Sequence, residues 1–208
     1  MKSVMKKTFL ALCTFFSFTS TIVAQTDSVF VEKKECVSEN SYKGFKLIIH
    51  FYSNSSIQIA KPYDYYLDFL KDIDSKTKLE LIRLLLQFQD DSSLCFLKTY
   101  NYSFNGIEGC SGKPEGVNRY TIQLDALFII NRLCWPKLME LYSCSPVLYD
   151  TKLQREINSD PDKIRYVFGE YKKWYEECKA LGRIPKYFPF NEGRYVWYGG
   201  KKSVVAKE

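Results

Sequence analysis

The chain has 208 residues, 46% of them hydrophobic, and a formal net charge of +6. That length suits one domain, and that apolar content excludes a chain that stays disordered. The charges are interspersed, as in DIDSKTKLE, and 27 basic residues face 24 acidic ones once Lys2, Lys6 and Lys7 are set aside. Neither a nucleic-acid partner nor binding to an anionic membrane surface is expected from so weak a balance.

Lys2, Lys6 and Lys7 precede a mostly apolar run from Thr8 to Val23, interrupted by Thr14, Ser17, Thr19, Ser20 and Thr21. A membrane-spanning helix needs about 20 predominantly apolar residues, and this run is shorter. The order of positive, apolar and small residues is that of an export signal, with cleavage expected after Ala24. Cys13 follows Leu12 in the middle of the run, not at its end, so it does not read as a lipid attachment site. The expected organisation is a signal peptide over 1–24, a single globular domain over 25–200 and a flexible basic tail over 201–208. The expected product is periplasmic or secreted, with no stable membrane anchor.

Residues 28–60 read as extended. Val29 and Val31 alternate with polar residues in SVFVEKK, and FKLIIHFY and SIQIA are rich in β-branched and aromatic residues around the turn-forming SNSS. The period then changes. Tyr63, Tyr66, Leu67 and Leu70 recur at helical spacing, and TKLELIRLLLQF places Leu79, Ile82, Leu85 and Leu86 on one face, with Thr77 and Glu80 in capping-box register. An antiparallel helix pair is expected there.

Residues 90–119, with Gly106, Gly109, Gly112 and Gly116, read as an irregular centre. YTIQLDALFIINRLCW follows as a helix apolar on most sides, the mark of a core helix, ended or kinked at Trp135-Pro136. Asp160, Pro161 and Gly182 then punctuate a long helix whose apolar stripe runs Ile164, Val167, Phe168, Tyr171, Trp174, Tyr175, Cys178, Leu181. RIPKYFPFNEGRYVWYGGKK closes the chain as an extended aromatic piece. The expected fold class is therefore mainly α (α+β): helical pairs packed on a long C-terminal amphipathic helix, with a small β-hairpin or sheet near the mature N-terminus.

Beyond the leader, the cysteines are Cys36, Cys95, Cys110, Cys134, Cys144 and Cys178, with no CxxC among them. A zinc ribbon or thioredoxin-type site is thereby unsupported. An exported chain permits disulfides. Cys95–Cys110 is the first expectation, because SFNGIEG between them is loop-like, and Cys134–Cys144 is the next. Burial as small core residues is the competing reading.

His50 is the only histidine, which excludes zinc sites built on two or three histidines and the two-His-one-carboxylate iron site. Without a nucleophile motif beside it, His50 reads as a structural strand residue. Gly112-Lys113 resembles the end of a phosphate loop, but the spacing from Gly106 is one residue too long and Pro114 replaces the metal-binding hydroxyl. Asp125 sits inside the apolar helix, where an ion pair with Arg119 or Arg132 is the bland reading. No catalytic residues, metal ligands or cofactor are assigned.

The aromatic end RYVWYGG differs from the other aromatic stretches. Tyr195 and Trp197 share one side of an extended segment, and with Arg194 they form the candidate binding residues. The sequence thus favours an exported, non-catalytic binding protein, with an inhibitor or immunity-type partner of another protein as its sharper form. A small cell-envelope hydrolase using His50 or Asp125 is the first alternative. A carbohydrate-binding module using the terminal aromatics is the second.

Overall fold

The computed structural model describes residues 29–38, 42–51, 55–58, 73–99, 113–135, 143 and 145–200. They form three α-helices and eight strands in two sheets. The expectation of a mainly α molecule, built from helical pairs on the C-terminal helix, is corrected: the protein is mixed α/β, and two sheets share the core with the helices. The physical reason is strand length. Several strands are two to five residues long, too short for a period-two pattern to emerge from sequence.

The first sheet begins where the alternation predicts it. β1 (Val29–Val37) pairs antiparallel with β2 (Lys43–Phe51) through a full register from Val29↔Phe51 to Val37↔Lys43. β3 (Ser55–Gln58) continues along the far side of β2, antiparallel to it. Next to β3 on that side comes β4 (Leu94–Lys98), which runs parallel to β2 at Phe45↔Cys95 and lies within the stretch that the sequence presents as irregular. β5 (Arg119–Thr121) adds antiparallel to β4 and leads straight into a helix. β1 and β5 are the end strands of this sheet.

Helix α1 (Ser75–Leu85) passes into a short 3-10 turn over Leu86–Phe88. Its cap is Asp74, not the Thr77–Glu80 box expected from sequence: Thr77 donates its backbone N–H (2.9 Å) and its hydroxyl (2.8 Å) to the Asp74 carboxylate. Helix α2 (Ile122–Cys134) is buried from Ile122 to Leu133. It lies against β2, β4, β5 and α1, as a helix apolar on most sides must. Helix α3 (Pro161–Leu181) is capped by Asp160 and closed by Gly182 at φ 63°. Its stripe is buried from Ile164 to Cys178, while Leu181, expected as its last member, is 49% exposed. The expected helix over 62–70 lies outside the described residues, as do the signal segment and the 201–208 tail.

The second sheet has order β7-β6-β8. β6 (Leu148–Asp150) is central, with β7 (Arg155–Glu156) on one side and β8 (Tyr195–Trp197) on the other. A buried polar chain joins this sheet to the helices. Trp197 Nε1–H donates to the Tyr171 hydroxyl (2.7 Å), which donates to Asn131 Oδ1 (2.7 Å), and Asn131 Nδ2–H donates to Ser143 (3.1 Å). Burial pushes the Tyr171 hydroxyl pKa up, so the phenol stays neutral.

Candidate functional site

The aromatic end of the chain divides between core and surface. Trp197 is fully buried, packed on Phe128 with ring centroids 5.8 Å apart and bonded to Tyr171. It has no face to offer a ligand. Tyr195 lies two residues back on the same face of β8, where the core runs out. Its ring meets Tyr166 of α3 edge-on, with centroids 5.4 Å apart. Tyr166 is 55% exposed and stands off the buried stripe of its helix. On the opposite face of the sheet Tyr149 and Tyr198 form a second edge-on pair at 5.3 Å.

Arg194 completes the exposed group. Its Nε–H donates to both oxygens of Asp150 at 3.0 Å, and an Nη lies 2.7 Å from Oδ2. The Arg194 side chain is 43% exposed while that of Asp150 is 0% exposed, so a buried carboxylate holds a surface guanidinium. The Arg194 carbonyl also accepts from the Thr151 backbone N–H (3.0 Å) and hydroxyl (2.9 Å). Asp150 Oδ1 accepts the N–H groups of Lys152 and Leu153, each at 3.0 Å, which fixes the turn carrying the exposed Leu153. Arg194, and then these backbone donors, hold the Asp150 carboxyl down to about 2, against the opposing effect of burial. The Arg194 guanidinium sits 5.3 Å from the Tyr195 ring centroid. Arg194, Tyr195 and Tyr166 thus form one connected group, with the exposed Leu153 on the turn that Asp150 holds.

The other sequence candidates lie elsewhere. His50 Nε2 is 2.8 Å from Glu32, and its ring stacks on Phe30 at 4.3 Å. Asp125 is buried in α2. The Cys95 thiol is pushed up by its burial and further by the Asp125 charge. Arg119 lies over the Tyr42 ring at 3.8 Å. Cys110 and Cys144, the expected partners of Cys95 and Cys134, lie outside the described residues. Among the described residues no group of three or more His, Cys, Asp or Glu is arranged to hold a metal ion, and no helix is long and apolar enough to cross a membrane.

A cleft of about 450 Å³ opens beside β5 and carries Glu115, Arg119 and Glu156 on its wall. A second, of about 260 Å³, lies at the end of α3 beside Glu177 and Tyr187, which share a hydrogen bond. His50 and Asp125 line neither. Sequence reasoning missed Asp150 and Tyr166. Tyr166 had a readable signal, because it is a large aromatic residue off the apolar stripe of an otherwise regular amphipathic helix. Asp150 had none, because its importance comes from a partner 44 residues away.

No protein-family model, curated protein or solved structure matches the chain.

Proposed function

We propose that the protein is an exported, non-catalytic interaction module that holds a partner protein through the surface formed by Arg194, Tyr195, Tyr166 and Leu153. The observation that carries this reading is the clamp. An exposed arginine and two tyrosines are fixed by a buried carboxylate and by ring contacts, so little side-chain freedom remains to be lost on binding. Tyrosine and arginine are the residue types that dominate protein interfaces, since they combine large contact area with hydrogen bonding. Export is supported by the lysine-led apolar run at the start of the chain. An inhibitor or immunity-type role is the sharper form of the same reading.

The test is a comparative pull-down from the protein's own cells, with the wild type and the Tyr166→Ala/Tyr195→Ala double variant as baits. The expected result is a partner protein retained by the wild type and lost by a variant whose thermal midpoint holds within a few degrees. Identical retention by both baits overturns the assignment. Retention that survives protease treatment of the extract moves the reading to a carbohydrate ligand. The hydrolase reading keeps one specific support, the cleft with Glu115, Glu156 and Arg119, whose size falls in the range of small-molecule sites.

A further inference from the structure

β1 ends the first sheet, and among the described residues no strand pairs with its outer edge. A nine-residue open edge is a template for another strand. Charged residues usually guard such edges, and Glu32, Lys33, Lys34 and Glu35 stand in the middle of this one. Yet the strand also exposes Phe30 near one end and Val37, 59% exposed, at the other. Guarding by charge alone does not account for that arrangement.

The order of residues supplies a partner. When one edge pairs antiparallel with a copy of itself about a two-fold axis normal to the sheet, residues directly opposite must share a face. Odd positions therefore face odd positions and even positions face even. The register that overlaps the whole strand places Lys33 on the axis. On the outer face, Glu32 then meets Lys34 of the second copy and Lys34 meets its Glu32, while Phe30 meets Cys36 in both directions. On the inner face, Val37 covers Val29, and Glu35 stands opposite Val31. The two neighbouring registers of correct parity each shorten the overlap. One brings Glu32 against Glu32 with no opposite-charge pair to offset it, and like charges directly opposite are destabilising. The other brings Lys34 against Lys34 beside two Lys33–Glu35 pairs, and it is disfavoured by its shorter overlap. In the full register only Lys33 meets its own kind. Its ammonium is already drawn to Asp91 (2.6 Å) and Ser93 (2.8 Å) of its own chain. Glu32 uses one oxygen for His50 and has a second for a lysine.

We propose that β1 is a self-complementary edge through which two copies of the chain join into one continuous sheet, in the register that sets Glu32 against Lys34. This surface is separate from the Arg194–Tyr195 face, so either assignment can fail without the other. One strand pairing covers less area than a standard interface of about 1,200–2,000 Å², so the association is of moderate affinity and depends on protein concentration.

Sedimentation velocity over a concentration series tests the proposal, using protein purified from cells expressing the full-length reading frame. Wild type should pass from monomer to dimer as concentration rises. Glu32→Lys and Lys34→Glu each place like charges opposite one another twice, and each should weaken self-association about tenfold or more. An equimolar mixture of the two variants restores both opposite-charge pairs and should recover the wild-type dimer. Both positions are exposed, and thermal midpoints near the wild-type value would show that each variant is folded. Three results would overturn the proposal: a wild type that stays monomeric at every concentration, a dimer indifferent to both single changes, or a mixture that fails to recover it.

Discussion

β1 and β2 meet through nine residue pairs, whereas β8 meets β6 through three and β7 meets it through two. The two sheets are accordingly held by different means. In the long ladder the backbone supplies the bonds and the side chains fix the register, because a slip of one residue would turn Val29 and Val31 away from the core. In the short ladders, side chains extend the pairing. Asn158 accepts the Leu148 N–H (2.9 Å) and donates to the Pro146 carbonyl (3.1 Å), while Asn191 accepts the Trp197 N–H (2.8 Å). Asp150 and Arg194 close the sheet at its other end. A sheet of two- and three-residue strands leaves buried backbone groups that need partners, and polar side chains of fixed geometry provide them. The exposed part of the small sheet is thereby tied to buried side chains, while the large sheet ends at β1, whose outer edge pairs with no strand among the described residues.

The strongest way to break this comparison is Trp197→Ala. The change removes the indole packed on Phe128 and the donor to the Tyr171 hydroxyl. Truncating a buried tryptophan costs about 3–5 kcal/mol, and urea denaturation measures it. A loss below about 1 kcal/mol would show that the small sheet stands without its link to the helices.

Asp150→Asn probes the same sheet through charge, with a smaller loss at neutral pH because Arg194 is part exposed and regains water. The sign follows from the depressed carboxyl. Its folded value of about 2 lies below its ordinary value of 3.8. The stabilisation is therefore fully present above about pH 4 and is lost as pH falls towards 2. Asp74, Asp91 and Asp160 are lowered too, by bonds that the substitution leaves alone. Thermal midpoints between pH 6 and pH 2 should fall more steeply for wild type than for Asp150→Asn. Parallel curves would remove Asp150 from its place as the clamp.

The same contrast in ladder length governs what could be read in advance. Asp160, Pro161, Gly182 and the stripe between them mark α3 by local chemistry alone, and α2 declares itself by being apolar on most sides. The alternation in VFVEKK and the β-rich FKLIIHF mark β1 and β2. LCFLK, LYD and YVW carry no such signal, because three to five residues barely display a period and their pairing depends on distant segments. The helix content consequently looked dominant. At the candidate site the sequence singles out Arg194, Tyr195 and Trp197, but it does not distinguish the wet aromatic from the dry one. That distinction rests on Phe128 and Tyr171, delivered by two helices.

The smallest effect we expect distinguishes ladder geometry from chain flexibility. Gly44 lies in β2 beside the parallel bridge Phe45↔Cys95. A Cβ there would stand 2.7 Å from the Phe96 Cα and 2.8 Å from its N. Those atoms are backbone and cannot swing aside, so Gly44→Ala must push β4 away from β2. Overpacking costs about 1–3 kcal/mol, and the reduced freedom of the unfolded chain returns about 0.4–1 kcal/mol. The net expectation is a loss of about 1 to 2 kcal/mol. Gly169 is the control. It is exposed within α3, and an added Cβ meets nothing within 4 Å. Gly169→Ala should stabilise by about 0.5–1 kcal/mol through helix propensity. Denaturation curves for the two variants should therefore move in opposite directions. A shift of the same sign in both would mean that close strand approach at Gly44 does not limit the first sheet.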